Sequence, residues 1–429
     1  MVKHVPTLGD IAGFINGDRS SNYPSGSDFV LNGIPFINAG DIDAGGVNSV
    51  NAKHISREAY DRLRAGKALS GDILFCLRGS LGKVGRFSGD LEIAIASSLV
   101  IVRARKTTDP LYLYYLLQGP SVQGLMHALD NGSAQPNLSV RELSRIAVSP
   151  VTAVEQCAIA SVLGALDDKI ELNRKMSATL QAVARALFKS WFVDFDPVRA
   201  KADSRDPGLP AEIAALFPDS FEETARGAIP SGWRVGGLGE VAKNKRNGIS
   251  QNDITEGTPY IGLEHMPRRS IALDRWGHAF QLESNKSEFQ QGNMLFGKLR
   301  PYFHKVGIAP VDGVCSTDIL VVSATSAEWS AFVLMHLSSD ALVAHTDRCS
   351  TGTKMPRASW DHICSYKVAL PPIEIARMFT AAVVPMTDRI IAGIHESRTL
   401  AALRDTLLPK LISGELRVTD AKRILAALA

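Results

Sequence analysis

Val148–Ile170 reads VSPVTAVEQCAIASVLGALDDKI, and Val368–Ile390, 220 residues further on, reads VALPPIEIARMFTAAVVPMTDRI. The two stretches align without a gap, so that Asp168-Lys169-Ile170 falls on Asp388-Arg389-Ile390. The same offset carries Thr179-Leu180 onto Thr399-Leu400 and Leu187-Phe188 onto Leu407-Leu408. Upstream, it carries Gly132-Ser133 with Pro136 onto Gly352-Thr353 with Pro356. Closer to the N-terminus the offset drifts by a few residues, as loop insertions would cause. Gly71-Asp-Ile-Leu-Phe75 still resembles Gly292-Asn-Met-Leu-Phe296, and Leu8-Gly-Asp-Ile-Ala12 resembles Leu238-Gly-Glu-Val-Ala242. The order is preserved from end to end. The chain is one unit of about 200 residues written twice, each copy a globular domain followed by a helix.

The helical part begins at Thr152-Ala-Val-Glu155, which has the form of a capping box. Apolar or small residues then recur at alternating spacings of three and four: Ile159, Val162, Leu166, then Met176, Leu180, Val183 and Leu187. Lys169 and Asn173 interrupt the series. The second copy gives Phe379, Ala382 and Met386, then Leu400, Leu403 and Leu407, interrupted by Arg389, Gly393 and Glu396. This is the seam of a coiled coil with a polar break. Pro371-Pro372 suits the start of the second helix and Ser413-Gly414 its stop, and Pro385 inside it is expected to kink it. Each helix of about 40 residues would span roughly 60 Å. The narrow, matched stripes favour packing of the two helices on each other; the alternative is two helices that each lie on their own domain.

The globular parts read as mainly β. Between residues 70 and 103, short apolar runs alternate with turns at Gly79, Gly82, Gly85 and Gly89. A helix is expected over Pro110–Gln118, with Trp329–Leu337 as its counterpart. Residues 193–232, marked by five prolines, form a connector in which 212–217 are expected to make a short helical piece. The domain division is therefore 1–150, a first helix 151–193, a connector 194–229, a second domain 230–368, a second helix 369–416 and a tail 417–429.

Composition agrees with a folded protein: 429 residues, 45% hydrophobic and 21% charged, which excludes a disordered chain. With 47 basic against 44 acidic residues the net charge is only +3. Nucleic acid could then be held only through local patches. The five cysteines include no C-x-x-C pair, as expected of a reducing compartment. No signal core or membrane-length apolar run is seen, and a cytoplasmic location is expected.

The plan of a globular domain and a long helix, repeated with alike helices and divergent domains, resembles the specificity subunit of type I restriction–modification systems. The resemblance covers essentially the whole chain. It is carried by Ile229-Pro-Ser-Gly-Trp233 with Leu238-Gly-Glu-Val-Ala242, by Gly292-Asn-Met-Leu-Phe296 leading into Lys298-Leu-Arg-Pro301, and by Ser316-Thr-Asp318. Leu370-Pro-Pro372 and Leu407-Leu-Pro-Lys410-Leu-Ile-Ser-Gly-Glu-Leu416 complete it. The resemblance implies an α+β fold: two mainly-β target recognition domains joined by a pair of long helices in an antiparallel coiled coil, with pseudo-two-fold symmetry. Each domain would read one half of a split sequence in double-stranded DNA. The helices would set the half-site spacing and dock two methyltransferase subunits and, where a nuclease accompanies them, two restriction subunits. Catalysis would belong to those partners: adenine-N6 methylation with S-adenosylmethionine, and ATP-dependent cleavage with ATP and Mg. The chain itself would be a non-catalytic subunit without cofactor or membrane association. It departs from the family pattern in lacking a Gly-Trp lead-in before Leu8, so its first strand is expected to be short.

Two paired features carry candidate DNA chemistry. In Lys298-Leu-Arg300-Pro-Tyr302-Phe-His304-Lys305, cations alternate with aromatics after an apolar strand, and Arg78-Gly-Ser80-Leu-Gly-Lys83 is the first-copy equivalent. Lysine and arginine neutralise phosphates, and arginine also pairs with guanine. The bland alternative is a solvated hairpin, which repetition at one place in both copies disfavours. Gly132-Ser133-Ala-Gln135-Pro-Asn137 and Gly352-Thr353-Lys354-Met-Pro-Arg357 form the second pair. Their amides, hydroxyls and cations suit base or backbone contact, and a simple helix-capping loop is the alternative. Arg268-Arg269 and Lys243-Asn-Lys245-Arg246 read as backbone contacts.

The search for catalytic motifs is negative. No Asn-Pro-Pro-aromatic motif of adenine methylation and no G-x-x-x-x-G-K-[ST] loop occurs. His345 and Cys349 sit at helical spacing without further metal ligands. The rivals to a DNA reader are a self-sufficient nuclease, which would need clustered acids with a lysine, and a scaffold that reads no DNA.

Overall fold

The computed structural model describes residues 5–43, 46–49, 52–129, 137–225, 227–245, 247–280, 284–350 and 355–428. Two compact units emerge. The first combines residues 1–171 with 399–429, and the second comprises 172–398. This differs from the division drawn on sequence, because each long helix contributes to both units.

In the first unit, a four-stranded antiparallel sheet has the spatial order Ala12–Asn16, Leu99–Ala104, Ile73–Cys76, Val84–Arg86. The second unit repeats it as Ala242–Asn244, Ile319–Ala324, Met294–Gly297, Val306–Ile308. Even the register matches, with Ala12 opposite Ala104 and Ala242 opposite Ala324. The central strands are unbroken apolar runs and are buried on both faces. A second, five-stranded sheet in each unit is built around one parallel pair: Ile34–Ile37 with Ile93–Ile95, and Pro259–Ile261 with Gly313–Cys315. Here the copies diverge. The extra edge strand is Phe29–Val30 beside Lys53–Ile55 in one unit, and Gly248–Ile249 beside Lys286–Phe289, on the opposite edge, in the other.

The helices follow the sequence closely. Pro110–Gln118 is helical, capped by Asp109, whose carboxylate accepts from the amides of Leu111 and Tyr112. Its counterpart runs Ser330–Leu337 after a short 3-10 turn. The connector holds an unexpected helix, Asp196–Ala202, and its expected helical piece spans Ala211–Ala214, earlier than anticipated. Among the described residues, Thr7 makes a single bridge to Ala147, whereas Arg234–Gly237 pairs along its whole length with Lys367–Leu370; residues 1–4, on which the expected short first strand also depends, lie outside the described residues.

The first long helix is Ala153–Phe192 and the second Ile373–Ser413. Thr152 and Glu155 make the capping box, and Gly414 leaves the second helix with φ +77°. Pro385 is exposed and does not end the helix, which is assigned continuously from Ile373 to Ser413.

In the first unit, Ile159, Val162 and Leu166 are buried with Leu407, Leu408, Leu411 and Ile412. Leu400 is partly buried against the same core. In the second, Phe379 is fully buried among Phe188, Trp191 and Phe192, with Leu180, Leu187 and Met386 packed against them. In the second unit Asn173 meets Glu396 while Phe188 and Phe192 meet Phe379, so the two helix segments run antiparallel there; in the first unit Asp167 meets Arg404. Met176 and Leu403 are half-buried.

Two seam assignments need correction. Val183 is 40% exposed and Ala382 is also exposed, and their neighbours Ala184 and Val383 are buried instead. A helix of 3.6 residues per turn drifts from a strict heptad. Here the aromatic cluster with Phe217, Trp233 and Phe332 also sets which face is buried. Among the described residues, no helix is long and apolar enough to cross a membrane.

Candidate nucleic-acid interface

In the first unit, the strand Ile73–Cys76 leads into a turn that returns as Val84–Arg86. Leu77 donates its amide to Ser98, and Leu138 donates to Leu77. This stitches the turn to the segment that follows the predicted glycine loop. Arg78 bridges to Asn137 through the backbone, and its Nε donates to Asn137 Oδ1 at 2.8 Å. Two features read separately in the sequence therefore form one exposed surface. Ser80 is exposed in the turn.

The second unit builds the same junction. Lys298 donates its amide to Asp318 and accepts from Ala358, while Leu299 bridges to Arg357 and Arg300 donates to Pro356. Arg357 lies 3.3 Å from Asp318, and Lys298 is half-buried. Ser133, Gln135, Thr353 and Lys354 lie outside the described residues, as does Arg246.

The equivalence reveals a difference in backbone. Gly79 and Gly82 of the first turn have φ +78°, the left-handed region that costs glycine little. At the matching places the second unit has Arg300 and His304, each with φ +51°, on either side of the 3-10 turn Pro301–Phe303. A non-glycine residue there is uncommon and strained. The turn is held by His304, whose buried ring lies 2.9 Å through Nε2 from the Ser338 carbonyl. Burial, its largest influence, holds this imidazole below its ordinary range.

Lys83 and Lys305, expected as DNA contacts, each hold a backbone carbonyl. Lys83 Nζ donates to the carbonyl of Ala39 at 2.9 Å, and Lys305 Nζ to that of Leu263 at 2.5 Å. Each carbonyl belongs to the first residue of a 3-10 turn after the parallel strand, Ala39–Asp41 or Leu263–His265. Both lysines are internal struts, tying the hairpin of one sheet to the turn after a strand of the other. Burial, and then the nearby Arg268 guanidinium, hold the Lys305 ammonium below the usual lysine range.

Arg268 occupies a place that sequence reading missed. Its guanidinium carbon lies 4.2 Å from the centre of the Phe303 ring, and that of Arg300 lies 5.9 Å from it. Tyr302, 50% exposed, packs edge-on against Phe303 at 4.8 Å. The basic pair at 268–269 is visible in the sequence; the aromatic it meets is 35 residues away and could not be chosen among sixteen phenylalanines.

Cys349 Sγ is 3.8 Å from His345 Nε2, and that nitrogen also lies 3.1 Å from the His362 carbonyl. Among the described residues, no three histidine, cysteine or acidic side chains gather to hold a metal.

Residues 4–182 match the family described as type I restriction modification DNA specificity domain. The chain is 25% identical to the type I restriction enzyme MjaIX specificity subunit of Methanocaldococcus jannaschii, over 82% of this chain and 78% of that protein. It is 24% identical to the HindI specificity subunit of Haemophilus influenzae, over 93% and 98%. In fold it is similar to the type I restriction–modification S subunit of M. genitalium, with a TM-score of 0.52, 17% identity and 95% of each chain covered. With the repeated unit and the paired helices, these likenesses point one way: the chain is similar over most of its length to type I restriction–modification specificity subunits, and its first copy matches their DNA specificity domain.

Proposed function

We propose that this chain reads a bipartite target in double-stranded DNA, one half-site through residues 1–150 and the other through 230–368. The observation that carries this is the junction made twice on one scaffold with different side chains: Arg78 with Asn137, and Arg300 beside Leu299 and Arg357. A shared backbone frame with unlike exposed groups suits two readers of unlike sequences. The long helices would act as a spacer, converting helix length into half-site separation, and would offer two similar surfaces to two methyltransferase subunits. Two restriction subunits would join where the system cleaves. S-adenosylmethionine would be held by the methyltransferase partners, and ATP with Mg by the restriction partners, all in the cytoplasm.

The test is to map methylated adenines in a host that carries this chain with its cognate methyltransferase. A split motif with a fixed spacer is expected. A continuous motif, or methylation by the purified chain alone, would remove the proposal.

A further inference from the structure

We propose that Arg268 and Arg300, gathered on the Phe303 ring, are the guanine-reading pair of the second unit; this rests on the bipartite reading above. Arginine's planar fork meets the O6 and N7 acceptors of guanine in the major groove with two parallel hydrogen bonds. To discriminate, the fork must be held in place before DNA arrives. Stacking on an aromatic face does this while leaving the donor edges free. Both guanidinium groups lie within 6 Å of the same ring. Arg268 is exposed, and Arg300 Nε is buried without a hydrogen-bond partner. Neither forms an ion pair with a carboxylate among the described residues. Two cations brought together without a counter-charge suit an electron-rich partner.

The backbone argues in the same direction. Arg300 holds φ +51° at a position where the sister unit uses Gly79. The left-handed backbone there does not call for an arginine, since glycine fills the equivalent position in the sister copy's one-residue-shorter turn. The first unit, lacking a side chain at that position, presents Arg78 and Asn137 instead. The two half-sites should therefore differ, with the guanine requirement belonging to the component read by the second unit. The same contrast separates base reading from simple phosphate contact: Lys305, at the end of this turn, is engaged with the Leu263 carbonyl, and the two cations gathered on Phe303 are forks rather than point charges.

The experiment is methylome mapping of the full chain with its methyltransferase, for wild type, Arg300→Gly, Arg300→Lys, Arg268→Ala, Phe303→Leu and Phe303→Tyr. Arg78→Ala identifies which component belongs to the first unit. Arg300→Gly keeps the turn, because glycine already occupies the equivalent place at φ +78°, so its thermal midpoint should not fall. Arg300→Gly, Arg300→Lys and Arg268→Ala should each relax G·C positions of one component, lowering discrimination about ten- to hundred-fold. Phe303→Leu should do so more weakly, with Phe303→Tyr restoring it, and the other component should stay intact. An even loss of methylation at all sites with the motif unchanged would reduce the pair to phosphate contacts and overturn the proposal. So would an unaltered methylome, or relaxation in the component that Arg78→Ala affects. A wild type without any split motif would overturn the bipartite reading itself.

Discussion

Arg404 Nη1 donates to Asp167 Oδ1 at 2.7 Å, and Tyr115 donates its hydroxyl to the other oxygen of the same carboxylate at 2.6 Å. One side chain thus joins both long helices and the helix Pro110–Gln118 in the first unit. Asp167 and Arg404 are each largely withdrawn from water. Arg404→Ala should cost about 2–3 kcal/mol, because it strands a carboxylate that has few other partners. Tyr115→Phe loses one hydrogen bond and should cost about 1 kcal/mol. Urea titration of both variants checks the ranking; equal losses would show that the ion pair contributes nothing beyond packing.

In the second unit the helix pair meets at a polar layer. Asn173, buried, donates to Glu396 at 2.9 Å, and Arg389 reaches Asn173 Oδ1 at 3.4 Å. Gly393 lies opposite. A Cβ added there would meet Asn173 Cβ at 3.7 Å, an ordinary contact. Gly393→Ala should therefore stabilise by about 0.5–1 kcal/mol through helix propensity alone. Asn173→Ala should cost about 1–2 kcal/mol. A loss of stability in Gly393→Ala would mean that the helices approach more closely than this.

These layers mark how far the sequence could be read. The three-four spacing and the interruptions at Asn173, Arg389, Gly393 and Glu396 are local, and they foretold both the helices and their polar break. Val183 and Ala382 went astray because burial there depends on an aromatic cluster gathered from residues as distant as Phe188, Phe332 and Phe379. The candidate site divides in the same way. Arg78 and Asn137 were each legible as exposed polar groups at repeated positions, but their junction rests on a pairing 59 residues apart. Phe303 with Arg268, and Lys83 with Ala39, are likewise set by sheet topology rather than by neighbours in the chain.

His336 is buried against Phe188 and Phe332, and burial pushes its imidazole down to about 3. The unfolded chain takes up this proton near pH 6.5, whereas the folded one resists it until about 3. Between those values the unfolded state binds more protons, so this residue's effect favours folding above pH 6.5 and is lost as the pH falls. The slope approaches about 1.4 kcal/mol per pH unit. His336→Met, of similar bulk, should flatten the decline of stability between pH 6.5 and 4.5. An unchanged pH profile in chemical denaturation would assign the acid sensitivity elsewhere.

Lys83 and Lys305 offer the clearest separation of structure from DNA contact. A phosphate ligand removed from a protein–DNA interface lowers the slope of log affinity against log salt by about 0.9. A strut removed from the protein lowers stability and leaves that slope alone. Lys83 and Lys305 each hold a backbone carbonyl, so Lys83→Met and Lys305→Met should lower the unfolding free energy by about 1–2 kcal/mol. The salt dependence of specific binding by the assembled methyltransferase should stay parallel to wild type. Arg78→Ala is the contrast: its side chain is exposed and, among the described residues, bonded only to Asn137, so it should change binding with little effect on stability. A reduced salt slope in either lysine variant would return that ammonium to the DNA, with the carbonyl contact broken when the duplex binds.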